Sequence, residues 1–228
     1  ARETVMEFVE YLLPLCDAYS SIRNFAFSRL ECKFGKVNHV LSFSLRKLLK
    51  DFTQSVSELD LMPNLTLSLL CSYLRKQREV ILIAESLCDG AINKKGAQVL
   101  SQIYDLRNRY FGNSSVHTFL DSLFEECSKP LQDFVDCWTR KGWLDDPFEE
   151  FFIRYDKDAK PSNAFGSIFL EGVYKLEKDF SPRFYSFHQL ELILSIGKVQ
   201  SVLRELGKPT YDYSLMIDGL REASRSLI

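Results

Sequence analysis

Along residues 3–30 the apolar positions Val5, Phe8, Val9, Leu12, Cys16, Tyr19, Ile22, Ala26 and Leu30 recur at steps of three and four, the spacing of one helical face. Pro14 falls inside that stripe. A proline there removes a backbone donor and crowds the carbonyl of Glu10, so a kink or break is expected. Gly35 ends this element, and Val37, Val40, Leu41, Leu45, Leu48, Leu49, Phe52, Val56 and Leu59 define a second helix, expected to lie antiparallel to the first. Met62-Pro63-Asn64 is turn chemistry leading into a third helix over about 65–88, through Leu67, Leu70, Leu74, Ile81 and Ala84. Asn64 or Thr66 is available as its cap, and Asp89-Gly90 as its stop. A shorter helix over 94–111 turns Val99, Ile103, Leu106 and Tyr110 inward, opened by Gly96 and closed by Gly112-Asn113. Ser114 or Ser115 then caps a fifth pattern, 116–138, which Pro130 interrupts.

The chain changes character at residues 141–153. Gly142 followed by Asp145-Asp146-Pro147-Phe148-Glu149 and the apolar run Phe151-Phe152-Ile153 is chemistry for stopping, reversing and restarting: glycine takes a left-handed cap and proline cannot continue the helix before it. This stretch is read as a joint formed by Gly142, Asp146, Pro147, Phe148 and Phe151, with Trp138 and Trp143 packed on either side of it. Asp146, Pro147 and Glu149 also fit N-cap, N1 and N3 of a new helix. Residues 154–163 are polar and turn-rich and read as a surface loop. Phe165, Ile168, Phe169, Val173, Tyr174 and Leu176 follow as an apolar stretch that fits helix or strand equally. A helix over 188–206 is expected to bury Leu190, Leu192, Ile193, Ile196, Val199, Val202 and Leu203, stopping at Gly207 and Pro209. A last helix is expected over 214–227. The pattern predicts an all-α fold, an elongated stack of antiparallel helical bundles with kinked long helices. Its divisions are 1–155 for the N-terminal bundles, 156–164 for the loop and 165–228 for a helical extension.

Composition narrows the function classes. The chain has 228 residues, 46% hydrophobic and 13% aromatic, ample for a packed core. Lys plus Arg number 29 against 31 Asp plus Glu, a net charge of −2, so no global field draws it to nucleic acid or to a membrane. Local basic clusters at Arg46-Lys47-Lys50, Arg75-Lys76-Arg78 and Arg140-Lys141 read as solvated helix faces. Cys16, Cys32, Cys71, Cys88, Cys127 and Cys137 form no C-x-x-C pair and read as buried, reduced thiols of a cytosolic protein. No apolar run approaches the ~20 residues that span a bilayer. The sequons at Asn64 and Asn113 read as cap chemistry.

Catalytic signals are weak. Asp145, Asp146 and Glu149 resemble an aspartate-rich set that holds Mg²⁺ and diphosphate in all-α enzymes, but Pro147 between them opposes one continuous ligand face, and no second acidic set accompanies it. His39, His117 and His188 are far apart, without zinc spacing. No nucleophile elbow, P-loop or dinucleotide fingerprint is written. The chain reads as non-catalytic, without cofactor or metal.

Three segments, in order, resemble the gamma-tubulin complex component family. These are Leu12-Leu13-Pro14-Leu15-Cys16 leading through Ile22-Arg23-Asn24-Phe25 to Gly35-Lys36-Val37-Asn38-His39, then Lys95-Gly96-Ala97-Gln98-Val99-Leu100-Ser101, then the joint from Gly142 and Asp146 to Ile153. Pro182-Arg183-Phe184 and Gly197-Lys198-Val199 extend the likeness to about Gly207, while Gln98 and Tyr185 depart from the usual residues. The resemblance implies an N-terminal Grip domain that associates laterally with paralogous components and attaches to a centrosomal or spindle-pole receptor for microtubule nucleation. It implies location in the cytoplasm and cytoskeleton, at a centrosome or spindle pole body. Gamma-tubulin is then expected to bind only a C-terminal domain absent from this chain, with no nucleic-acid or membrane partner. The lateral interface is expected among exposed aromatic and basic residues of the helices within 3–88, without assignment to particular residues. Competing readings are a helical rod of a tethering complex and the Mg²⁺-diphosphate enzyme using Asp145, Asp146 and Glu149.

Overall fold

A computed structural model describes residues 2–156 and 173–209, with positions 211 and 219. The described part of the chain is all-α with one small sheet: α1 Arg2–Ser28, α2 Lys36–Asp60, α3 Leu67–Ala91, α4 Ala97–Arg109, α5 Ser114–Lys141 and α6 Phe187–Glu205, with strands β1 Ile153–Tyr155 and β2 Tyr174–Leu176. Most of the surface-loop expectation (157–164) and the last-helix expectation lie outside the described residues. The sheet is antiparallel, with Ile153 opposite Leu176, Arg154 opposite Lys175 and Tyr155 opposite Tyr174. Val173, Tyr174 and Leu176, from the ambiguous apolar stretch, thus lie in a turn and a strand. Among the described residues no helix is long and apolar enough to cross a membrane.

The chain divides into two compact units, one formed by Ala1–Lys95 with Gln102–Cys127 and the other by Gly96–Ser101 with Ser128–Ile228. In the first unit α1 packs on both α2 and α3. The Tyr19 hydroxyl meets Thr53 and Arg46 stacks on Phe27, so α1 and α2 run antiparallel. Arg78 donates to the Tyr11 carbonyl and Arg29 to the Ile92 carbonyl, so α3 runs alongside α1 in the same direction. The expected antiparallel pair is present.

Neither proline breaks its helix. Helix α1 runs through Pro14 and α5 through Pro130. Pro14 is exposed while Leu15 and Ala18 beside it are buried, so water can hydrate the carbonyl that the proline frees. At Pro130 the buried stripe Cys127, Leu131, Phe134 and Val135 continues across the site, and that burial outweighs the roughly 3 kcal/mol a helix-interior proline costs. The buried face of α1 is Leu15, Ala18, Ile22, Phe25 and Ala26, continued by Arg29 just past its end, shifted in phase from the expected stripe, and Val9 and Cys16 point to solvent. Arg29 is buried against Phe34, 3.9 Å from the ring centroid, and donates to the carbonyl that closes α3. Burial lowers the pKa of its guanidinium from the ordinary arginine value.

Caps are local. Thr66 caps α3 by accepting from the Leu69 amide, and the helix runs past Gly90 to Ala91. Gly90 faces the Gln102 amide group, which would have to move aside for a Cβ, 2.0 Å away. Asn113, not Ser114 or Ser115, caps α5 through the Val116 amide. Ser186 and Gln189 form a reciprocal capping box at the start of α6.

Candidate functional site

The joint lies in the second unit and is built from the C-terminal end of α5. Trp138 is fully buried; its indole nitrogen donates to the Ile193 carbonyl of α6 at 3.0 Å. Gly197 leaves the space for it, since a Cβ there would lie 1.9 Å from the indole. One turn later Gly142 closes α5 at φ +57°, its amide still bonded to the Trp138 carbonyl. Its own carbonyl accepts from Arg204 at 2.7 Å.

Between Gly142 and β1 no helix starts, contrary to the N-cap reading of Asp146, Pro147 and Glu149. The Asp146 carboxylate instead accepts from the Glu150 amide at 2.9 Å and the Phe151 amide at 2.7 Å, while Glu149 sits at φ +58°. The backbone is wound around the carboxylate and then leaves as β1. Arg154 donates to the Glu149 carbonyl at 2.7 Å and approaches the Asp146 carboxylate at 4.0 Å. Phe151 and Phe152 are fully buried, their rings 4.3 Å apart, and Phe151 meets Phe134 of α5. Gly96 completes the joint: φ is +49°, and a Cβ would lie 2.2 Å from the Glu150 carbonyl.

Of the five residues assigned to the joint, Gly142, Asp146 and Phe151 hold it, Phe148 is half-buried and Pro147 is exposed in the turn. Of the two tryptophans only Trp138 is an anchor. Trp143 is 54% exposed, with Arg204 5.1 Å above its ring. Sequence reasoning missed Gly96, Gly197 and Tyr174, whose ring lies 4.6 Å from that of Trp138. The sequence marks Gly96 as a helix opening and Gly197 as part of the family likeness, and neither signal names the group that each glycine meets.

The joint has no open metal chemistry. Asp146 is engaged by two amides, while Asp145 and Glu149 are exposed; among the described residues no three His, Cys, Asp or Glu groups gather to hold an ion. The thiols also differ from the expectation of general burial: Cys88 and Cys127 are buried, Cys71 and Cys137 half-buried and Cys16 exposed, with Cys32 outside the described side chains. Burial, with Asp89 and Glu85 nearby, pushes the Cys88 thiol up to about 12, and burial also pushes Cys127 upward. Neither is a nucleophile near neutral pH. His39 and His188 are exposed, and His117 pairs with Asp121 at 3.2 Å.

What the first unit does present is apolar surface. Residues 61–69, the turn between α2 and α3 with the first residues of α3, are all exposed and carry Leu61, Met62, Leu65, Leu67 and Leu69; Leu61 is 83% exposed. Five apolar side chains in nine residues of water-facing chain are the kind of surface that marks a protein contact.

Comparison with known proteins decides the family. The family model described as gamma tubulin complex component N-terminal matches residues 1–225. The chain belongs to that family. Its members with curated names include gamma-tubulin complex component 2 of Mus musculus, 24% identical over 90% of this chain and 23% of the relative. Gamma-tubulin complex component 2 of Arabidopsis thaliana is 28% identical over 89% of the chain and 31% of the relative. The spindle pole body component alp6 of Schizosaccharomyces pombe is 26% identical over 60% of the chain and 16% of the relative. The chain therefore spans under a third of the length of these family members.

Proposed function

We propose that the chain is a non-catalytic assembly module of a gamma-tubulin complex component, associating side by side with the N-terminal region of a paralogous component. In this reading it also helps attach the complex at a centrosome or spindle pole, in the cytoplasm and cytoskeleton, in support of microtubule nucleation. Gamma-tubulin itself is bound by a part of the polypeptide outside this chain. The observation that carries the reading is the family match over residues 1–225. Its relatives are named as gamma-tubulin complex components and a spindle pole body component. The exposed apolar turn between α2 and α3 supports the side of contact, because it lies within the helices expected to meet a neighbour. The engaged carboxylate of Asp146 speaks against the Mg²⁺-diphosphate alternative.

The test is a paired binding measurement by interferometry on the immobilised chain, with the N-terminal domain of a paralogous component in one arm and gamma-tubulin in the other. The expected result is saturable binding of the paralogous domain and none of gamma-tubulin. Tight gamma-tubulin binding, or no binding in either arm, contradicts the proposal.

A further inference from the structure

We propose that the groove between α1 and α2 in the first unit docks a short acidic peptide segment carrying an aromatic or aliphatic anchor. Tyr19, Arg23 and Phe27 line it from α1, and Arg46, Leu49 and Lys50 from α2. The floor is apolar: Leu49 is buried and Tyr19 half-buried. The wall is cationic. The guanidinium of Arg23 lies 5.9 Å and that of Arg46 5.4 Å from the centroid of the single Phe27 ring, and that ring is 52% exposed. Two guanidiniums on one ring repel each other, and a third cation, Lys50, lines the same groove. Among the described residues none of the three has a carboxylate partner, and no residue lining the groove is acidic.

Charge complementarity fixes the occupant. A carboxylate entering between Arg23 and Arg46 relieves their repulsion and gains a planar, two-donor partner. The exposed face of Phe27 and the floor at Leu49 then offer contact to a neighbouring apolar side chain of the same segment. A nucleic-acid backbone requires a longer run of cations, and the groove continues from Lys50 into the neutral Thr53, Gln54 and Ser57. The inference goes beyond the proposed function, since its ligand is a peptide segment and not a folded neighbour. Its test contains no paralogous component, so either reading can fail without the other.

In the experiment, a phage-displayed library of random dodecapeptides is panned on the 228-residue chain. Enriched peptides are then measured by fluorescence anisotropy on the wild type, Arg23→Glu/Arg46→Glu and Phe27→Ala. Phosphatidylserine vesicles and a single-stranded RNA dodecamer are measured in parallel. The expected result is enrichment of peptides with Asp or Glu beside an aromatic or aliphatic residue. Affinity falls by about tenfold or more on the double charge reversal and by about threefold or more on Phe27→Ala, with the thermal midpoint unchanged. Should the double variant lower that midpoint, Lys50→Glu, at an exposed position, supplies the reading. No enrichment, enrichment of non-acidic peptides, affinity indifferent to charge reversal, or tighter binding of vesicles or RNA overturns the proposal.

Discussion

At Gly142 two constraints coincide: φ is +57°, and a Cβ would lie 2.2 Å from the Ser201 amide nitrogen. Gly207 shares only the first, with φ +64° and nothing within 4 Å. The left-handed backbone costs an L-residue about 1–2 kcal/mol, and forcing atoms into a packed contact adds roughly 1–3 kcal/mol. Gly142→Ala is therefore expected to lose about 2–5 kcal/mol in a urea unfolding titration, and Gly207→Ala only about 1–2 kcal/mol. Equal losses would show that the approach of α6 to Gly142 is not a tight one. Gly197→Ala is expected to destabilise although alanine is the better helix former, because the Trp138 indole occupies the space. Thiol chemistry is predicted at the same scale. At pH 8 an alkylating reagent followed by mass spectrometry should label Cys16 first and leave Cys88 and Cys127 unlabelled until denaturant is added. Cys88 has its pKa raised in the fold from 9.0 to about 12. Its contribution to stability is thus complete below pH 9 and is lost as pH rises from there toward 12. Labelling of Cys88 as fast as Cys16 would contradict its burial.

The helices of the first five patterns were legible because each stripe is long and its stops are chemical: Gly35, Thr66, Gly96 and Gly142 all fall at element ends. The faces were less legible. In α1 the apolar residues cover so wide an arc that a second phase fits as well, and the observed one buries Leu15, Ala18 and Phe25 beside the shared Ile22 and Ala26. In α6 the buried face includes Gln189, Gly197, Gln200 and Ser201, while Val199 and Leu206 are exposed. Gln200 bonds both backbone groups of Tyr211, and Gly197 receives Trp138. No hydrophobic periodicity reports such partners, since they come from distant sequence. The strand at Ile153 was hidden for a related reason: Asp146 looks like a helix cap and bonds amides as one does, but the amides are those of Glu150 and Phe151. Ser186→Ala is expected to cost about 1 kcal/mol by removing the capping box of α6; an unchanged urea midpoint would show the box to be idle. On the turn between α2 and α3, Leu61→Asp/Leu65→Asp should leave the thermal midpoint unchanged, as both side chains are exposed. The same variant should weaken binding of a paralogous N-terminal domain by about tenfold or more. Full binding by a folded variant would remove this turn from the interface.

For the whole molecule, family membership was legible where function was not written as chemistry. The Gly35, Gly96 and joint segments, which carry the family likeness, each meet a steric demand in this chain: φ +98° at Gly35, close contact with Glu150 at Gly96, and the wound backbone at Asp146. An interface imposes no such local demand; it needs only apolar groups left in water, which a sequence cannot distinguish from core. The proposed function requires that this chain meet a paralogous component through the first unit and not meet gamma-tubulin. Hydrogen–deuterium exchange of the chain, alone, with a paralogous N-terminal domain and with gamma-tubulin, tests partner and place together. Slowed exchange is expected within α1–α3 and at residues 61–69 when the paralogous domain is added, and no change with gamma-tubulin. Slowed exchange with gamma-tubulin alone, or no change at saturating paralogous domain, would contradict it.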